Sequence, residues 1–135
     1  MDAQQNTRLV QDAYAAYGRG DVAAVLSFMS PQIDWELSDI PDLSFTGKRK
    51  GSEQVAEYFR LADEERSLRE FVPREFIAQG NKVVVLGYGA WTVKRTGREF
   101  ASDWVHVFTI EDGKISAFRE FLDSHLASEA CRGST

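Results

Sequence analysis

A chain of 135 residues, 43% hydrophobic and 27% charged, is long enough for one core and too apolar to be disordered. Its net charge of −5 and its scattered basic residues exclude nucleic acid as the expected partner, because phosphate binding needs a basic face. A single cysteine, Cys131, excludes an internal disulfide and a cysteine-based metal site, and no apolar run approaches the ~20 residues of a membrane span, so neither metal nor membrane is expected.

The opening Met1-Asp2-Ala3-Gln4-Gln5 has neither the basic nor the apolar segment of a secretory signal, which makes a cytoplasmic location the expectation. Residues 4–18 form an amphipathic helix with Leu9, Val10, Ala13, Tyr14 and Tyr17 on one face. Gly18 and Gly20 stop it. Asp21 caps a second short helix striped by Val22, Val25, Leu26 and Met29, with Pro31 at or just past its end. The alternation of Ile33-Asp34-Trp35-Glu36-Leu37 predicts a strand, and residues 38–50 a loop. A third helix opens at Gly51-Ser52 with Ser52 as N-cap, buries Val55, Tyr58, Phe59 and Ala62, and frays into Asp63-Glu64-Glu65-Arg66. From residue 69 the pattern turns to strands: 74–78, 83–93, 99–110 and 115–122, separated by Gln79-Gly80-Asn81, Thr96-Gly97 and Glu111-Asp112-Gly113. Residues 1–126 make one domain, and the small polar residues 127–135 a disordered tail. Helices first and strands after predict an α+β fold, three helices against a curved antiparallel sheet.

Strand pairing then predicts a pocket face. With Thr96-Gly97 as a two-residue turn, Val93 opposes Phe100, Trp91 opposes Ser102, Gly89 opposes Trp104 and Gly87 opposes His106. With Glu111-Asp112-Gly113 as a three-residue loop, His106 opposes Phe118 and Trp104 opposes Glu120. One face thereby gathers aromatic residues around two ionisable groups, His106 and Glu120. A two-residue Asp112-Gly113 turn shifts the register by one and brings Arg119 there instead. Gly87 and Gly89 on this face leave room for a ligand, or else relieve crowding by Trp104 or mark a bulge. The opposite face, with Tyr88, Asp103, Val105, Val107, Arg119 and Phe121, is mixed and suits a homodimer contact through the sheet.

Tyr17-Gly18-Arg19-Gly20-Asp21, Ile33-Asp34-Trp35-Glu36, Phe45-Thr46-Gly47, Thr96-Gly97-Arg98, Trp104-Val105-His106-Val107-Phe108, Asp112-Gly113-Lys114-Ile115 and Arg119-Glu120-Phe121-Leu122-Asp123 together resemble the SnoaL-like branch of the nuclear transport factor 2 / ketosteroid isomerase superfamily. The resemblance spans nearly the whole chain and implies a cone-shaped sheet enclosing a pocket. Family function is diverse. Against steroid isomerases, the general-base position falls on Leu37, the tyrosine position on Ala13 and the second acid position on His106. Against limonene-epoxide hydrolases, the Asp–Arg–Asp set falls on Gly89, Gly87 and Glu120. Neither set is intact. SnoaL-like cyclases use a single acid/base carboxylate, a part for which Glu120 is the candidate.

The expected site therefore has Glu120 as acid/base, its pKa raised by apolar walls, and His106 as its partner. Tyr17, Trp35, Leu37, Tyr58, Gly87, Gly89, Trp91, Trp104, Phe108 and Phe118 are its expected lining. The expected ligand is a small, largely apolar carbonyl compound of polyketide or terpenoid type. The expected chemistry is cofactor-independent isomerisation, cyclisation or dehydration. Two further readings stand beside it: a non-catalytic ligand holder, and an interaction module whose own aromatics fill the pocket.

Overall fold

Asp2 closes a capping box at the start of the first helix: its carboxylate accepts the Gln5 N–H at 2.8 Å, and the Gln5 side chain accepts the Asp2 N–H at 3.0 Å. The structure, a computed structural model, describes residues 2–132. Helix α1 (Ala3–Gly18) buries Asn6, Val10, Ala13 and Ala16. Asp21 caps α2 (Val22–Ser27) through the Ala24 N–H. That helix is shorter than its apolar stripe predicts, because Met29 already belongs to β1 (Met29–Leu37), and Pro31 lies inside the strand rather than ending the helix.

Residues 38–50 are not all loop. Gly47–Lys50 forms a short, largely exposed edge strand, β2, antiparallel to β1. It runs straight into α3 (Gly51–Glu65), and Gly51 makes the bend with a φ of +84°. Lys50, not Ser52, is the N-cap residue, and its N–H donates to the Gln54 side chain at 2.7 Å. The helix does not fray at its charged end: the Glu65 carboxylate accepts from Ser44 N–H and Oγ, and the Glu65 carbonyl accepts from Lys94 N–H.

Four long strands complete the sheet: β3 (Arg66–Gln79), β4 (Lys82–Val93), β5 (Glu99–Glu111) and β6 (Lys114–Leu122). The order is β2-β1-β6-β5-β4-β3, curved and unclosed, with every pair antiparallel except β1 and β6. The expected disordered tail is corrected over most of its length: Ser124–Cys131 forms α4, capped by Asp123, with Ala127, Ala130 and Cys131 buried. Thr96 and Arg95 donate to the Ala130 and Cys131 carbonyls, which fixes its C-terminal end. Residues 133–135 of that tail lie outside the described residues. Among the described residues no helix is long and apolar enough to cross a membrane.

Both expected hairpin registers are wrong in detail, and the pocket face survives both errors. The first turn is a four-residue loop, Lys94–Gly97, closed by Val93 and Arg98. Trp91 therefore opposes Phe100, Gly87 opposes Trp104 and Val85 opposes His106, two residues away from the expected pairing. A slip of two keeps every side chain on its face. The second turn has two residues, Asp112 and Gly113, with φ of 51° and 74°, the mirror-image turn that hairpins favour. Alone it carries Arg119 to the pocket face. A bulge at Ser116 adds one residue before Ala117 meets Thr109, which restores the parity and sets His106 directly opposite Glu120. The Ser116 hydroxyl bonds the Thr109 carbonyl and the Glu111 carboxylate, holding the bulge in place.

The reading of Gly87 and Gly89 as space for a ligand is also corrected. A Cβ on Gly87 would collide with the Trp104 indole, and one on Gly89 with the Trp91 indole. Both indoles are fully buried and have nowhere to retreat. Gly87→Ala and Gly89→Ala are expected to lower stability by roughly 1–3 kcal/mol in denaturant melts. Gly18→Ala meets open space and an ordinary φ, so it is expected to be neutral or stabilising by up to about 1 kcal/mol. Unchanged midpoints for the two strand variants contradict the indole-cradle assignment.

Candidate active site

The concave face of β4–β6 and the inner sides of α1 and α3 enclose a small apolar cavity of about 60 Å³. Eight expected lining or catalytic residues meet there: Tyr17, Trp35, Tyr58, Trp91, Phe108 and Phe118, with His106 and Glu120. Four do not. Leu37 is buried in the core beside the wall, Gly87 and Gly89 lie beneath indoles, and Trp104 stands behind His106 instead of facing the space. Its ring stacks on the imidazole at 3.9 Å between centroids, and Phe71 stacks on Trp104 in turn at 4.9 Å.

Glu120 and His106 are only 6% and 4% exposed, so neither polar side chain can be left without a partner. Their direct opposition across β5 and β6 places His106 Nε2 2.7 Å from Glu120 Oε2. On its other side, His106 Nδ1 lies 2.7 Å from the Tyr14 hydroxyl, delivered by α1. The result is one chain, Tyr14–His106–Glu120, across three elements. Glu120 Oε1 accepts no hydrogen bond from the described residues, and Glu120 lines the cavity.

Burial alone pushes the Glu120 carboxyl up. The hydrogen bond from His106, the attraction between the two side chains and the Arg66 guanidinium together outweigh it, and the carboxyl is held below the ordinary 4.5. The expectation of a raised value is therefore reversed. Glu120 is the acceptor and His106 Nε2–H the donor. Tyr14 is pushed the other way, first by burial and then by the Glu120 charge, and stays a neutral phenol.

Arg66 begins β3 at the edge of the same cavity and is only 8% exposed. Its Nη2 donates to the Tyr58 hydroxyl at 3.2 Å, and its guanidinium lies 4.6 Å from the Phe45 ring centre and 4.9 Å from that of Trp91. Outward of it lies a cleft of about 490 Å³ that shares Tyr17, Tyr58, Phe59, Arg66 and Trp91 with the inner cavity. Those five residues form the threshold between the two spaces. The cavity by itself is far below the 300–1,000 Å³ of ordinary ligand sites, and the cleft is within that range. Among the described residues no group of three or more His, Cys, Asp or Glu side chains is placed to hold a metal ion.

Tyr14, Phe71 and Arg66 are absent from the expected lining. Tyr14 carries a legible signal, since it shares the helical stripe of Val10 and Tyr17. The phenol against His106 thus comes from Tyr14, one residue beyond the expected Ala13. Arg66 carries none, because it closes a run of charged residues that reads as solvated.

The model of the SnoaL-like domain family matches residues 10–118. An NTF2-like protein from Burkholderia xenovorans is 32% identical to this chain, with a TM-score of 0.87 over 98% of this chain and 99% of that one. An NTF2-like protein of unknown function from Burkholderia pseudomallei is 27% identical, with a TM-score of 0.88 over 98% and 100%. TerC, co-crystallised with polyporic acid, is 28% identical, with a TM-score of 0.85 over 94% and 98%. No curated protein matches the chain.

The direction of the Glu120 shift fixes a pH dependence. A carboxyl held below its unfolded value stabilises the fold above that value, and the stabilisation is lost as pH falls through the folded value. The stability gap between wild type and Glu120→Gln is therefore expected to be full at neutral pH and to shrink as pH drops below 4.5. Denaturant titrations along a pH series measure it. A gap that is constant or widens on acidification contradicts the assignment.

Proposed function

The chain belongs to the SnoaL-like domain family, and from that premise we propose that it binds a flat, largely apolar carbonyl compound across the threshold and moves a proton next to the carbonyl. The observation that carries this reading is an ionised, buried carboxylate on the wall of an aromatic cavity, with one oxygen held by His106 and the other without a protein partner. In the forward step, Glu120 Oε1 takes a proton from the carbon beside the carbonyl. The C–H electron pair moves into the enolate and a new O–H bond forms on Glu120. Return of that proton to another carbon gives isomerisation. Attack of the enolate on a second carbonyl, whose oxygen takes the proton back from Glu120, gives ring closure, and departure of a neighbouring hydroxyl as water with that proton gives dehydration.

A carboxyl held below its usual value is a weak base. It suits carbon acids already acidified by two carbonyls or by an aromatic system, which is the chemistry of polyketide-like substrates. His106 and Tyr14 position the base and supply polar hydrogens close to it. The co-crystallisation of TerC with polyporic acid supports an organic acid as ligand in this fold.

One observation favours a ligand holder without chemistry: the inner cavity is only about 60 Å³, so a substrate reaches Glu120 only if threshold aromatics such as Tyr17 and Phe59 swing aside. Carbon-bound deuterium uptake in D2O, followed by NMR on a panel of aryl 1,3-dicarbonyl compounds, separates the two. Wild type is expected to accelerate exchange of a bound compound, and Glu120→Gln to lose about 10²–10⁴-fold of that rate while keeping its fold. Binding without exchange above the buffer rate contradicts catalysis and supports the holder.

The convex face supplies the surface for the proposed homodimer. Val105 and Val107 are half-buried there and Phe121 is 42% exposed, and a second copy would cover them. Sedimentation velocity is expected to give the dimer mass, and Phe121→Lys the monomer mass. A wild-type monomer at high concentration contradicts this contact.

A further inference from the structure

Arg66 is a buried cation with no carboxylate in direct contact. Among the described residues no carboxylate lies within ion-pair distance of its guanidinium, whose one protein hydrogen bond goes to the neutral Tyr58 hydroxyl. Phe45 and Trp91 flank its faces. Aromatic faces attract a cation but accept none of the in-plane hydrogen bonds that its fork of five N–H groups offers. A second unused donor is close by: Trp91 Nε1 is buried without a hydrogen-bond partner, and Trp91 lines both the inner cavity and the outer cleft. Glu120 lies on the inner cavity's wall, is already engaged by His106, and feels Arg66 only as a neighbouring charge. Donors are thus in excess at the threshold, and an anion entering from the outer cleft would complete the guanidinium.

We infer that Arg66 is the anchor for an anionic group of the ligand, so that the substrate class is an aromatic or enolic acid, not a neutral ketone. The inference rests on the proposed binding of a carbonyl compound and names its class. A carboxylate or enolate at the threshold takes the free N–H fork of Arg66, with the Trp91 indole N–H beside it. The flat body lies among the cavity aromatics, and its reacting carbon faces Glu120 further in. The same contact offsets the repulsion between ligand anion and Glu120. It also selects against neutral compounds of equal size, because these leave the fork unpaired.

Calorimetric titration with 2-naphthoate and its neutral isostere 2-naphthamide tests the anchor without needing turnover. Wild type is expected to bind the naphthoate at least about tenfold more tightly, as a charge-assisted hydrogen bond implies. Arg66→Gln is expected to erase that preference while leaving naphthamide affinity within a few-fold, and Arg66→Lys to retain part of it. In wild type the Arg66 Nε–H resonance is expected to move on adding naphthoate and not naphthamide, which gives a readout that does not depend on any variant folding. Equal binding of the two compounds, no binding of naphthoate at millimolar concentration, or a preference that survives Arg66→Gln overturns the anchor. In Glu120→Gln the preference is expected to persist. Arg66-dependent binding without proton exchange therefore defeats only the acid/base reading, and exchange without Arg66-dependent preference defeats only the anchor.

Discussion

Two ionisable side chains buried in an aromatic core must meet, or each is left with an uncompensated desolvation cost. Here they meet because the β5–β6 register sets His106 directly across from Glu120, 2.7 Å apart. That register depends on one inserted residue. Without the bulge at Ser116 the tight Asp112-Gly113 turn would bring Arg119 inward and send Glu120 to the convex face. The site thus rests on a backbone irregularity far from the cavity, one secured by a serine hydroxyl.

The imidazole is held as firmly as the carboxylate. Gly87 admits the Trp104 indole, Trp104 stacks on His106, and Phe71 stacks behind Trp104. Tyr14 approaches from α1 and takes up Nδ1. Packing therefore fixes the ring plane and hydrogen bonds fix its rotation, which leaves Glu120 with one occupied and one available oxygen. In the proposed reading a group so placed is preorganised for proton transfer, and its low basicity restricts it to carbon acids that ionise easily.

Much of this was legible in the residue pattern, for a physical reason. Side chains alternate along a strand, so an error of two residues in either hairpin leaves the inward set unchanged. The aromatic face around His106 and Glu120 emerged despite two misread turns. What required the fold was anything set by long-range contact. Arg66 looked like the solvated end of a charged run until β3 paired it with Val93 on the inward face. Residues 127–131 read as part of a polar tail, and the helix they belong to is held by Arg95 and Thr96 from a distant turn. Glu120 was expected to be a raised carboxyl because the walls are apolar, yet His106 and Arg66 outweigh the walls. Gly87 and Gly89 fit either space for a ligand or relief of crowding by Trp104, and the packed structure decides for crowding, with an indole over each.

The proposed proton transfer depends on Glu120 being an anion inside the cavity. Infrared difference spectroscopy, wild type minus Glu120→Gln at neutral pH, observes that state directly. The expected result is a carboxylate stretching band assignable to Glu120 that gives way to a protonated carbonyl band only at a pH below 4.5. A protonated carboxyl band already present at neutral pH would contradict the ionised Glu120 and the base chemistry built on it.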